Sequence, residues 1–551
     1  MLLTGAGILI NELIRQGVDT VFGYPGGYVI NIYDELYKNA DKLTHILTAH
    51  EQGAAHAADA YARVSGKVGV VIATGGPGAT NLVTGIANAY LDSVPVVFIT
   101  GNVAVPMLGQ DSFQDIDIAG VTLPIVKHSY VVKDIRHLQR VVNEAFSIAG
   151  SDRKGPVHID IPKSIQLDTC VFDPSLRMTV QNKIDSISIN DIDAAVSLIE
   201  RSDCPYIYCG GGVSATDTGH FVMRLSELID APIGMSMMGL GSVPCSFDLN
   251  LGMSGMHGRY ASNLAKSEAD LLIALGIRFS DRATGTVNEY SSSTSVIHID
   301  IDAAELSKNI RPDVGICGDL KDILPLLLSK VQAKKNVQWL DRVKELKKKD
   351  YYKPDNDFTP RNIINIVNNC FDDDTVITTD VGQHQMWVAQ YYMFEKPRKL
   401  ISSGGLGAMG YGMGAAIGAS IAQGRKRTVL FTGDGSFGMN LTELATAVTQ
   451  NLPITIILLN NNSLGMVRQW QTLFYDKRYS CTTLNRNTDF PSLAKAFSAA
   501  GYLVHNLEEL QDVITHAPKD APCLIECKVD IDEKVLPMIP VGGTIDDVIL
   551  E

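Results

Sequence analysis

Two oxygen-bearing side chains in the C-terminal part of the chain have the setting of metal ligands. Asp434 and Asn461 each follow a short apolar run of the kind that forms a buried β-strand. Their carboxylate and carboxamide oxygens are hard donors, which suit Mg²⁺ bound together with phosphate groups. Ligands bind at the carboxyl ends of strands in open parallel sheets, so we predict a site for Mg²⁺ and a diphosphate there. The alternative is a glycine turn followed by an unrelated asparagine-rich turn.

The residues around Asp434 suit a phosphate group. Gly433 and Gly435 would let the backbone approach the anion closely, and Ser436 lies at the start of the helix predicted to follow. Amide N–H groups at a helix N-terminus have no partner within the helix and attract anions. The motif therefore predicts contact between this helix N-terminus and the diphosphate.

Glu51 is a second candidate, at the start of a predicted helix in the N-terminal part of the chain. The helix dipole stabilises a negative charge at this position, so the alternative is a glutamate that only begins a helix. Glycine-rich motifs lie on either side, at residues 23–27 and 74–81, and their resemblance to the pyrimidine-binding domain of a known enzyme family favours a functional role. We therefore treat Glu51 as a candidate catalytic residue.

The elements that must position these residues alternate between short strands and helices along the whole chain. Runs rich in Val and Ile, such as residues 70–73 and 96–100, end in glycine turns. Continuous apolar runs are typical of strands buried on both faces, so the sheets should be parallel with helices on either side. We expect an α/β fold with three doubly wound parallel-sheet domains and a C-terminal tail, at residues 1–165, 185–330, 360–535 and 536–551.

The composition is ordinary for a globular protein and argues against nucleic acid as a partner. The 551 residues include 47 Lys and Arg and 61 Asp and Glu, a net charge of -14, whereas phosphate backbones require a basic surface. Nine scattered cysteines without zinc-site spacing indicate free thiols in a reducing compartment. No apolar run reaches the length of a membrane span, and no leader pattern is visible. We expect a cytoplasmic protein that binds neither nucleic acid nor a membrane.

Six stretches of the sequence, in order along the chain, resemble the acetohydroxyacid synthase (acetolactate synthase) family, whose members are thiamine-diphosphate enzymes. The resemblance extends from about residue 5 to the end of the chain. It implies that the three domains bind the pyrimidine ring, FAD and the diphosphate, in that order. The six stretches are residues 113–114, 127–129, 382–387, 404–412, 464–470 and 537–544.

The resemblance implies a site for thiamine diphosphate and Mg²⁺. Glu51 matches the glutamate that hydrogen-bonds the aminopyrimidine ring, where a carboxyl group in low-dielectric surroundings helps the ring to change its protonation state. Asp434 and Asn461 match side-chain ligands of the metal, and Ser463 matches a residue that supplies a backbone carbonyl. The other residues that match cofactor contacts are Gly26, Gly27, Pro77, Asn81, Gln383, His384, Met409, Gly433, Gly435, Ser436 and Met466.

Motifs in the central domain resemble the FAD-binding domain of the same family. A single glycine turn after a strand is weak support for a nucleotide site, but here several motifs occur together. The flavin would be structural, because joining two keto acids transfers no net electrons. The implied FAD contacts are Arg153, Gly211, Gly212, Met238, His257, Arg278 and Asp300.

The implied reaction is decarboxylation of pyruvate and ligation of the two-carbon unit to a second 2-keto acid, giving 2-acetolactate or 2-aceto-2-hydroxybutyrate. Phe113, Gln114 and Lys127 match the family's substrate region. Arg282 would pair with the acceptor carboxylate, since a guanidinium group binds it bidentately. Trp470 would form an apolar wall that favours one extra methylene by about 1–3 kcal/mol. The alternatives are an ordinary ion pair for the arginine and a core aromatic for the tryptophan.

Four residues depart from the family pattern. Tyr28 and Gly75 stand where a small residue and a serine are usual, and Ser280 and Gly414 replace an aspartate and a proline. These changes bear on the acceptor more than on the cofactor. A related carboligase with a different aldehyde or ketone acceptor, and a catalytically silent homologue, are therefore the alternatives.

The resemblance also implies partners. In the family the glutamate and the metal motif meet across a subunit interface, which implies a homodimer or homotetramer. A separate regulatory small subunit is a further expected partner. The chain contains no adjacent pair of histidines, the feature that simple keto-acid decarboxylases of the superfamily use, and this favours ligation over aldehyde release.

Overall fold

A computed structural model describes residues 1–177, 187–285, 294–350 and 355–550. It contains three six-stranded sheets whose described neighbouring strands all run parallel. The predicted α/β fold with three doubly wound parallel-sheet domains is confirmed. The expected start of the central domain at residue 185 and the last residue of the expected tail, residue 551, lie outside the described residues.

The strands of the N-terminal domain are β1 (Leu2–Thr4), β2 (Thr20–Tyr24), β3 (Thr44–Leu47), β4 (Gly69–Ala73), β5 (Val96–Asn102), β6 (His128–Val131), β7 (Val157–Pro162) and β8 (Thr169–Val171). Six of them form a sheet in the order β3-β2-β4-β5-β7-β6, and β1 pairs with β8 in the antiparallel direction. β4 and β5 are buried along their whole length, as expected when helices cover both faces. The described helices are Gly5–Arg15, Ile30–Lys38, Glu51–Ser65, Pro77–Asn81, Val83–Leu91, Val105–Met107, Ile118–Thr122, Leu123–Ile125, Ile135–Gly150 and Lys163–Leu167.

The central sheet consists of β9 (Pro205–Cys209), β10 (Ile233–Met235), β11 (Asn250–Met253), β12 (Leu271–Leu275), β13 (Ser295–Asp300) and β14 (Val314–Cys317). Its order is β11-β10-β9-β12-β13-β14. The Val337–Lys349 helix follows the strands of this sheet and packs onto the domain. Its Trp339 is buried and donates a hydrogen bond to the Pro205 carbonyl at 3.0 Å. The described helices are Ile189–Arg201, Gly211–Thr216, Gly219–Ile229, Met237–Gly239, Tyr260–Glu268, Asp281–Thr284, Leu320–Lys330 and Val337–Lys349.

The C-terminal sheet consists of β15 (Val376–Thr379), β16 (Leu400–Ile401), β17 (Thr428–Gly433), β18 (Ile454–Asn460), β19 (Ala500–Val504) and β20 (Cys523–Lys528). Its order is β16-β15-β17-β18-β20-β19. The central strands β17 and β18 are completely buried, which agrees with their unbroken apolar sequence. The described helices are Pro360–Cys370, Gln383–Tyr391, Tyr411–Ala422, Asp434–Asn440, Glu443–Thr449, Gly465–Phe474, Phe490–Ala496, Leu507–His516 and Ile545–Asp547.

The N-terminal and C-terminal domains meet through two helices rich in small residues. The Glu51–Ser65 helix lies against the Tyr411–Ala422 helix. A Cβ atom at Gly418 would lie 1.9 Å from the Ala57 carbonyl oxygen, and one at Gly414 would lie 2.7 Å from that of Gly53. The backbones thus approach more closely than any larger residue permits, which gives Gly414 a packing role.

Two further expectations concern features outside the sheets. All nine cysteines are free thiols, as the scattered spacing indicated. Within the described ranges, no helix combines the length and the apolar character needed to cross a membrane.

Candidate active site

Asp434 and Asn461 lie side by side at the carboxyl edge of the C-terminal sheet. β17 and β18 are parallel neighbours, and Gly433 at the end of β17 is in register with Leu459. Asp434 begins the Asp434–Asn440 helix directly after β17, and Asn461 directly follows β18. Two residues that are distant in sequence therefore share one corner of the fold because both follow buried parallel strands.

Burial raises the pKa of Asp434 to about 6, although the amide N–H groups of Asp434 and Gly435 act in the opposite direction. An ionised carboxylate in a buried site is costly without a compensating charge. Among the described residues, no group of three or more His, Cys, Asp or Glu side chains could hold a metal ion. Asp434 offers one acidic oxygen and Asn461 a neutral one, which suits a cation such as Mg²⁺ that completes its shell with phosphate and other oxygens.

Hydrogen bonds fix the orientation of Asn461. Its Nδ2 donates to Oε1 of Gln383 at 3.1 Å, and its Oδ1 accepts the amide N–H of Ser463 at 3.1 Å. Gln383 is held in turn, since its Nε2 donates to Oε1 of Gln469 at 3.0 Å and to the Glu533 carbonyl at 2.7 Å. Gln383 thus orients Asn461, and the buried Gln469, which sequence reasoning missed, orients Gln383.

His384 presents an unpaired buried atom at the same corner. Its Nε2 is buried without a hydrogen-bond partner among the described residues. Its ring lies over Gly382 and Gly433, where added Cβ atoms would come within 2.8 and 3.0 Å of it. Burial lowers the pKa of His384 to about 3, so the ring is neutral at physiological pH. Such an atom suits a hydrogen-bonding ligand, and the two glycines leave room for the ring, which fits the predicted diphosphate.

Asp380, which sequence reasoning missed, organises the segments around this corner. It is fully buried, and burial raises its pKa to about 6. Its Oδ1 accepts the amide N–H groups of Val381 at 3.0 Å and Gly410 at 2.8 Å. Ser436 adds a bond of 2.6 Å from its Oγ to the Val381 carbonyl. The only sequence signal was the position of Asp380 directly after the strand β15.

A cavity of about 1490 Å³ extends from the segments beside this corner, around Gly382 and Met409, to the central domain. It is lined on the C-terminal side by Gly382, Met409, Met466 and Trp470. On the other side it is lined by Arg282 and by every residue predicted to contact FAD, namely Arg153, Gly211, Gly212, Met238, His257, Arg278 and Asp300. The structure therefore brings the predicted flavin residues and part of the predicted cofactor and acceptor residues to one space.

The flavin end of this cavity has the features of a nucleotide site. The Gly211–Thr216 helix, which begins soon after β9, closely approaches the backbone at the end of the neighbouring strand β12, since a Cβ atom at Gly212 would lie 2.7 Å from Cα of Gly276. The Tyr208 hydroxyl and Nδ1 of His257 are buried and lack partners among the described residues. Burial raises the pKa of Asp300 to about 6 and lowers that of His257 to about 4. Unpaired polar atoms beside a glycine turn fit the predicted FAD.

Two arginines at the flavin end already have partners. The Arg153 guanidinium forms ion pairs with Asp302 at 3.1 Å and Glu305 at 2.5 Å. Arg278 donates to the carbonyl of Leu91. All three contacts cross from one domain to another, so these side chains join the N-terminal and central domains as well as lining the cavity.

Arg282 and Trp470 lie together in the wall of the cavity. The Arg282 guanidinium carbon is 5.7 Å from the centre of the Trp470 ring, within the range of a cation–π contact. The only ion pair of Arg282 among the described residues is with Asp281 at 3.4 Å, and both side chains are mostly exposed, at 56% and 74%. Such a pair is weak, so the guanidinium remains accessible to a carboxylate that enters the cavity.

The residues predicted to bind the pyrimidine ring cluster elsewhere, in the N-terminal domain. The Glu51–Ser65 helix begins at Glu51, and Oε2 of Glu51 accepts a hydrogen bond from Nδ2 of Asn81 at 3.0 Å. An added Cβ atom at Gly78 would lie 3.1 Å from Oε1 of Glu51. The predicted residues Gly26 and Gly27 lie in the loop after β2. The predicted residue Pro77 begins the Pro77–Asn81 helix.

The three remaining predicted substrate residues also lie in the N-terminal domain. Phe113 is 80% exposed, and its carbonyl accepts a hydrogen bond of 2.5 Å from the Tyr28 hydroxyl. Gln114 is packed near Gly76, where an added Cβ atom would meet it at 2.7 Å. Lys127 donates to the Ser151 carbonyl at 2.8 Å, just beyond the Ile135–Gly150 helix. In one chain Lys127 therefore binds backbone carbonyls at that helix end.

The predicted pyrimidine and substrate residues of the N-terminal domain do not line this cavity. Among the described residues, its lining contains none of Glu51, Gly26, Gly27, Pro77, Asn81, Phe113, Gln114 and Lys127, and Asp434, Asn461 and His384 do not line it either. We call the corner of Asp434 and Asn461 the metal corner or C-terminal half-site, and the cluster around Glu51 the N-terminal or pyrimidine half-site.

Comparison with known proteins shows the family. Models of the thiamine pyrophosphate enzymes match at the N-terminal TPP binding domain over residues 3–121, at the central domain over 192–327 and at the C-terminal TPP binding domain over 380–527. The acetolactate synthase large subunit of Lactococcus lactis is 42% identical over 99% of this chain and 96% of its own length. The isozyme 2 large subunit of Escherichia coli is 42% identical over 98% of both chains, and the large subunit of Porphyra purpurea is 42% identical over 98% and 94%. The chain belongs to the acetolactate synthase large-subunit family of thiamine pyrophosphate enzymes.

The departures from the family pattern lie mostly outside the metal corner. A side chain at position 75 would not fit without a shift of the backbone, because an added Cβ atom would lie 2.6 Å from the Gly101 carbonyl oxygen. Ser280 is the residue before the Asp281–Thr284 helix, and its carbonyl accepts the amide N–H of Thr284 at 3.0 Å. Nothing in the structure requires a serine in place of an aspartate there.

Proposed function

We propose that the protein decarboxylates pyruvate and joins the two-carbon unit to a second 2-keto acid. The products would be 2-acetolactate or 2-aceto-2-hydroxybutyrate, precursors in branched-chain amino acid biosynthesis. The observation that carries the proposal is full-length similarity to acetolactate synthase large subunits, combined with the pairing of Arg282 and Trp470.

Thiamine diphosphate would be held by the C-terminal half-site, with Mg²⁺ on Asp434, Asn461 and the Ser463 carbonyl. The support is the buried carboxylate, the oriented carboxamide and the unpaired Nε2 of His384. Bound thiamine diphosphate supplies a carbon nucleophile that stabilises the negative charge left when pyruvate loses CO₂. Met409 and Met466 would contact the cofactor from the cavity wall.

Glu51 would exchange the proton that the aminopyrimidine ring gains and loses. Asn81 occupies Oε2 of Glu51, so Oε1 is the atom available to the ring. Gly78 leaves space beside Oε1, and the Glu51 side chain is buried.

Arg282 would bind the carboxylate of the acceptor, and Trp470 would select its alkyl group. An arginine fork gives two parallel hydrogen bonds to a carboxylate, which fixes the orientation of the keto group. The flat indole ring offers apolar contact to one additional methylene. FAD would occupy the part of the cavity in the central domain as a structural group. The support is the close backbone approach at Gly212 and the unpaired polar atoms of Tyr208 and His257.

A complete site would require two copies of the chain. The separation of the two half-sites supports a homodimer or homotetramer in which Glu51 of one copy faces Asp434 of another. Exposed apolar side chains beside the pyrimidine half-site, among them Tyr24, Leu47 and Phe113, support burial in such an interface. Because the relatives are named large subunits, we also propose a separate regulatory small subunit. The free thiols support a reducing compartment such as the cytoplasm.

The test is product analysis with the purified protein. Thiamine diphosphate, Mg²⁺, FAD and pyruvate are supplied with and without 2-ketobutyrate, and the products are identified by mass spectrometry. We expect acetolactate from pyruvate alone and mainly 2-aceto-2-hydroxybutyrate from the mixture, with Asp434→Asn as the inactive control. Acetaldehyde as the sole product would contradict the proposal.

One observation favours a second candidate, a carboligase with another aldehyde or ketone acceptor. Tyr28 stands where the family has a small residue, and its hydroxyl donates a hydrogen bond to the carbonyl of Phe113. A panel of aldehydes and ketones added to the same assay distinguishes the two. A tenfold higher kcat/KM for one of them than for 2-ketobutyrate would support this candidate.

A further inference from the structure

The turn at residues 91–93 of the N-terminal domain is held by both of the other domains. Arg278 of the central domain donates to the Leu91 carbonyl. Gly404 and Gly405 of the C-terminal domain donate their amide N–H groups to the Asp92 carboxylate at 3.0 and 2.7 Å. The turn therefore joins a predicted flavin residue to the segment that precedes Met409.

The Asp92 carboxylate is fully buried, and both of its oxygens have partners. Arg63 forms an ion pair with it at 2.9 Å, in addition to the two glycine amides. An added Cβ atom at Gly405 would lie 2.8 Å from Oδ1 of Asp92, and one at Gly404 would lie 2.3 Å from the sulfur of Met238. The two glycines are exposed to solvent on one side and closely approach the carboxylate and a second predicted flavin residue on the other.

The rest of the segment is anchored to the same domain. Arg63 donates to the Ser402 carbonyl at 3.1 Å. The Ser403 hydroxyl donates to Oδ1 of Asn88 at 2.5 Å and accepts the amide N–H of Ala408 at 2.9 Å. The next residue is Met409, which lines the cavity beside the diphosphate corner. Hydrogen bonds therefore hold residues 402–405 and 408 in place as long as the turn keeps its position.

We infer that Asp92 is a positioning residue that couples the flavin end of the cavity to the thiamine diphosphate end. A flavin that contacts Arg278 and Met238 would order both sides of residues 404–405, and the segment would carry this order to Met409. The flavin would then increase the affinity for thiamine diphosphate without any transfer of electrons. This inference rests on the proposed function, since it requires both cofactors.

The coupling is measurable as a ratio of dissociation constants. Thiamine diphosphate is titrated in the presence of Mg²⁺, with and without saturating FAD, and binding is followed by near-ultraviolet circular dichroism. For the unaltered protein we expect FAD to lower the dissociation constant on the order of tenfold, within the usual range of coupling between sites. Reciprocity requires thiamine diphosphate to improve FAD binding by the same factor, which flavin fluorescence checks.

Asp92→Asn keeps the size of the side chain but removes its charge, and we expect its ratio to fall below twofold. Gly405→Ala retains the charge and pushes the segment from the carboxylate, so it should lower the ratio in the same way if Asp92→Asn fails to fold. The matched control is Glu12→Gln, a fully buried carboxylate of the same domain that pairs with Arg15 far from the cavity. It should lose thermal stability while keeping the original ratio.

The outcomes separate this inference from the proposed function. If the unaltered protein binds both cofactors but shows no coupling, or if Asp92→Asn and Gly405→Ala keep the original ratio, the inference is overturned and the proposed function stands. If the unaltered protein binds neither cofactor, both fail.

Discussion

The two half-sites of the chain differ in how completely one copy builds them. In the C-terminal half-site, Asp434, Asn461 and His384 are buried, and Gln383 fixes the carboxamide. In the N-terminal half-site, Glu51 is buried and held by Asn81, but Phe113 beside it is exposed to solvent.

The difference follows from where each half-site lies. The metal corner is formed by adjacent strands of one sheet, so a single domain can complete it. The pyrimidine half-site is formed by a helix start and by loops of the N-terminal domain, and we propose that a second copy of the chain covers it. We therefore predict that the C-terminal half-site binds the diphosphate of the cofactor by itself, and that the N-terminal half-site acts only after two chains have assembled.

The strongest test removes one group from each half. Asp434→Asn and Glu51→Gln should each lower kcat at least a hundredfold, the first by losing Mg²⁺ and the second by losing proton exchange. Purified variants are compared by steady-state kinetics and by thiamine diphosphate titration. Only Asp434→Asn should also lose cofactor binding, and Asp476→Asn, an exposed acid, serves as its control.

Mixing these two variants tests assembly directly. If each site combines two copies, a refolded equimolar mixture should recover about a quarter of the original activity, because half of the dimers are mixed and each of these has one intact site. A mixture as inactive as its components would mean that both half-sites act within one chain.

The pH dependence should report the buried carboxylate of the metal corner. The pKa of Asp434 is raised to about 6, so without metal the folded state holds an extra proton between the ordinary pKa and about pH 6. This contribution to stability is present at low pH and is lost as the pH rises through 6. Mg²⁺ requires the ionised form, so the increase in melting temperature caused by Mg²⁺ and thiamine diphosphate should shrink below pH 6. If the rise in melting temperature is the same at pH 7 and pH 5, ionisation of Asp434 is not its cause. The Asp434→Asn variant should show no rise in melting temperature with Mg²⁺ and thiamine diphosphate at either pH.

A smaller effect is expected at the acceptor end. Trp470→Leu removes the flat wall and should lower the preference for 2-ketobutyrate over pyruvate about tenfold, with little change in kcat. Competition between the two acids measures the ratio. Phe474→Leu, which alters the neighbouring ring at 5.7 Å, is the matched control. Equal effects of both changes would argue for a general loss of packing.

The smallest effect is expected from the hydroxyl in the open half-site. Tyr28→Phe removes the hydrogen bond to the Phe113 carbonyl and should raise KM for pyruvate up to about fivefold, as one hydrogen bond contributes about 1 kcal/mol. Tyr37→Phe alters an exposed tyrosine and is the control. A decrease in KM would mean instead that the Tyr28 hydroxyl obstructs the pocket.

Much of the architecture was predictable because local sequence determines it. Unbroken apolar runs require strands buried on both faces, so the parallel sheets followed from sequence alone. The ends of those strands placed Asp434 and Asn461 at one sheet edge, and the start of the helix placed Glu51. These positions depend on the chain before and after each residue.

Contacts between distant segments were decided only by the tertiary structure. The support of Asn461 by Gln383 and Gln469, the three bonds of Asp92, and the close approach of Gly414 to Gly53 join residues from different elements. No local pattern encodes such pairs, because a side chain selects its partner only after sheets and helices have packed. Local sequence was enough to predict the elements and the residue types at their ends, whereas packing between distant segments brought some of those residues together and kept others apart.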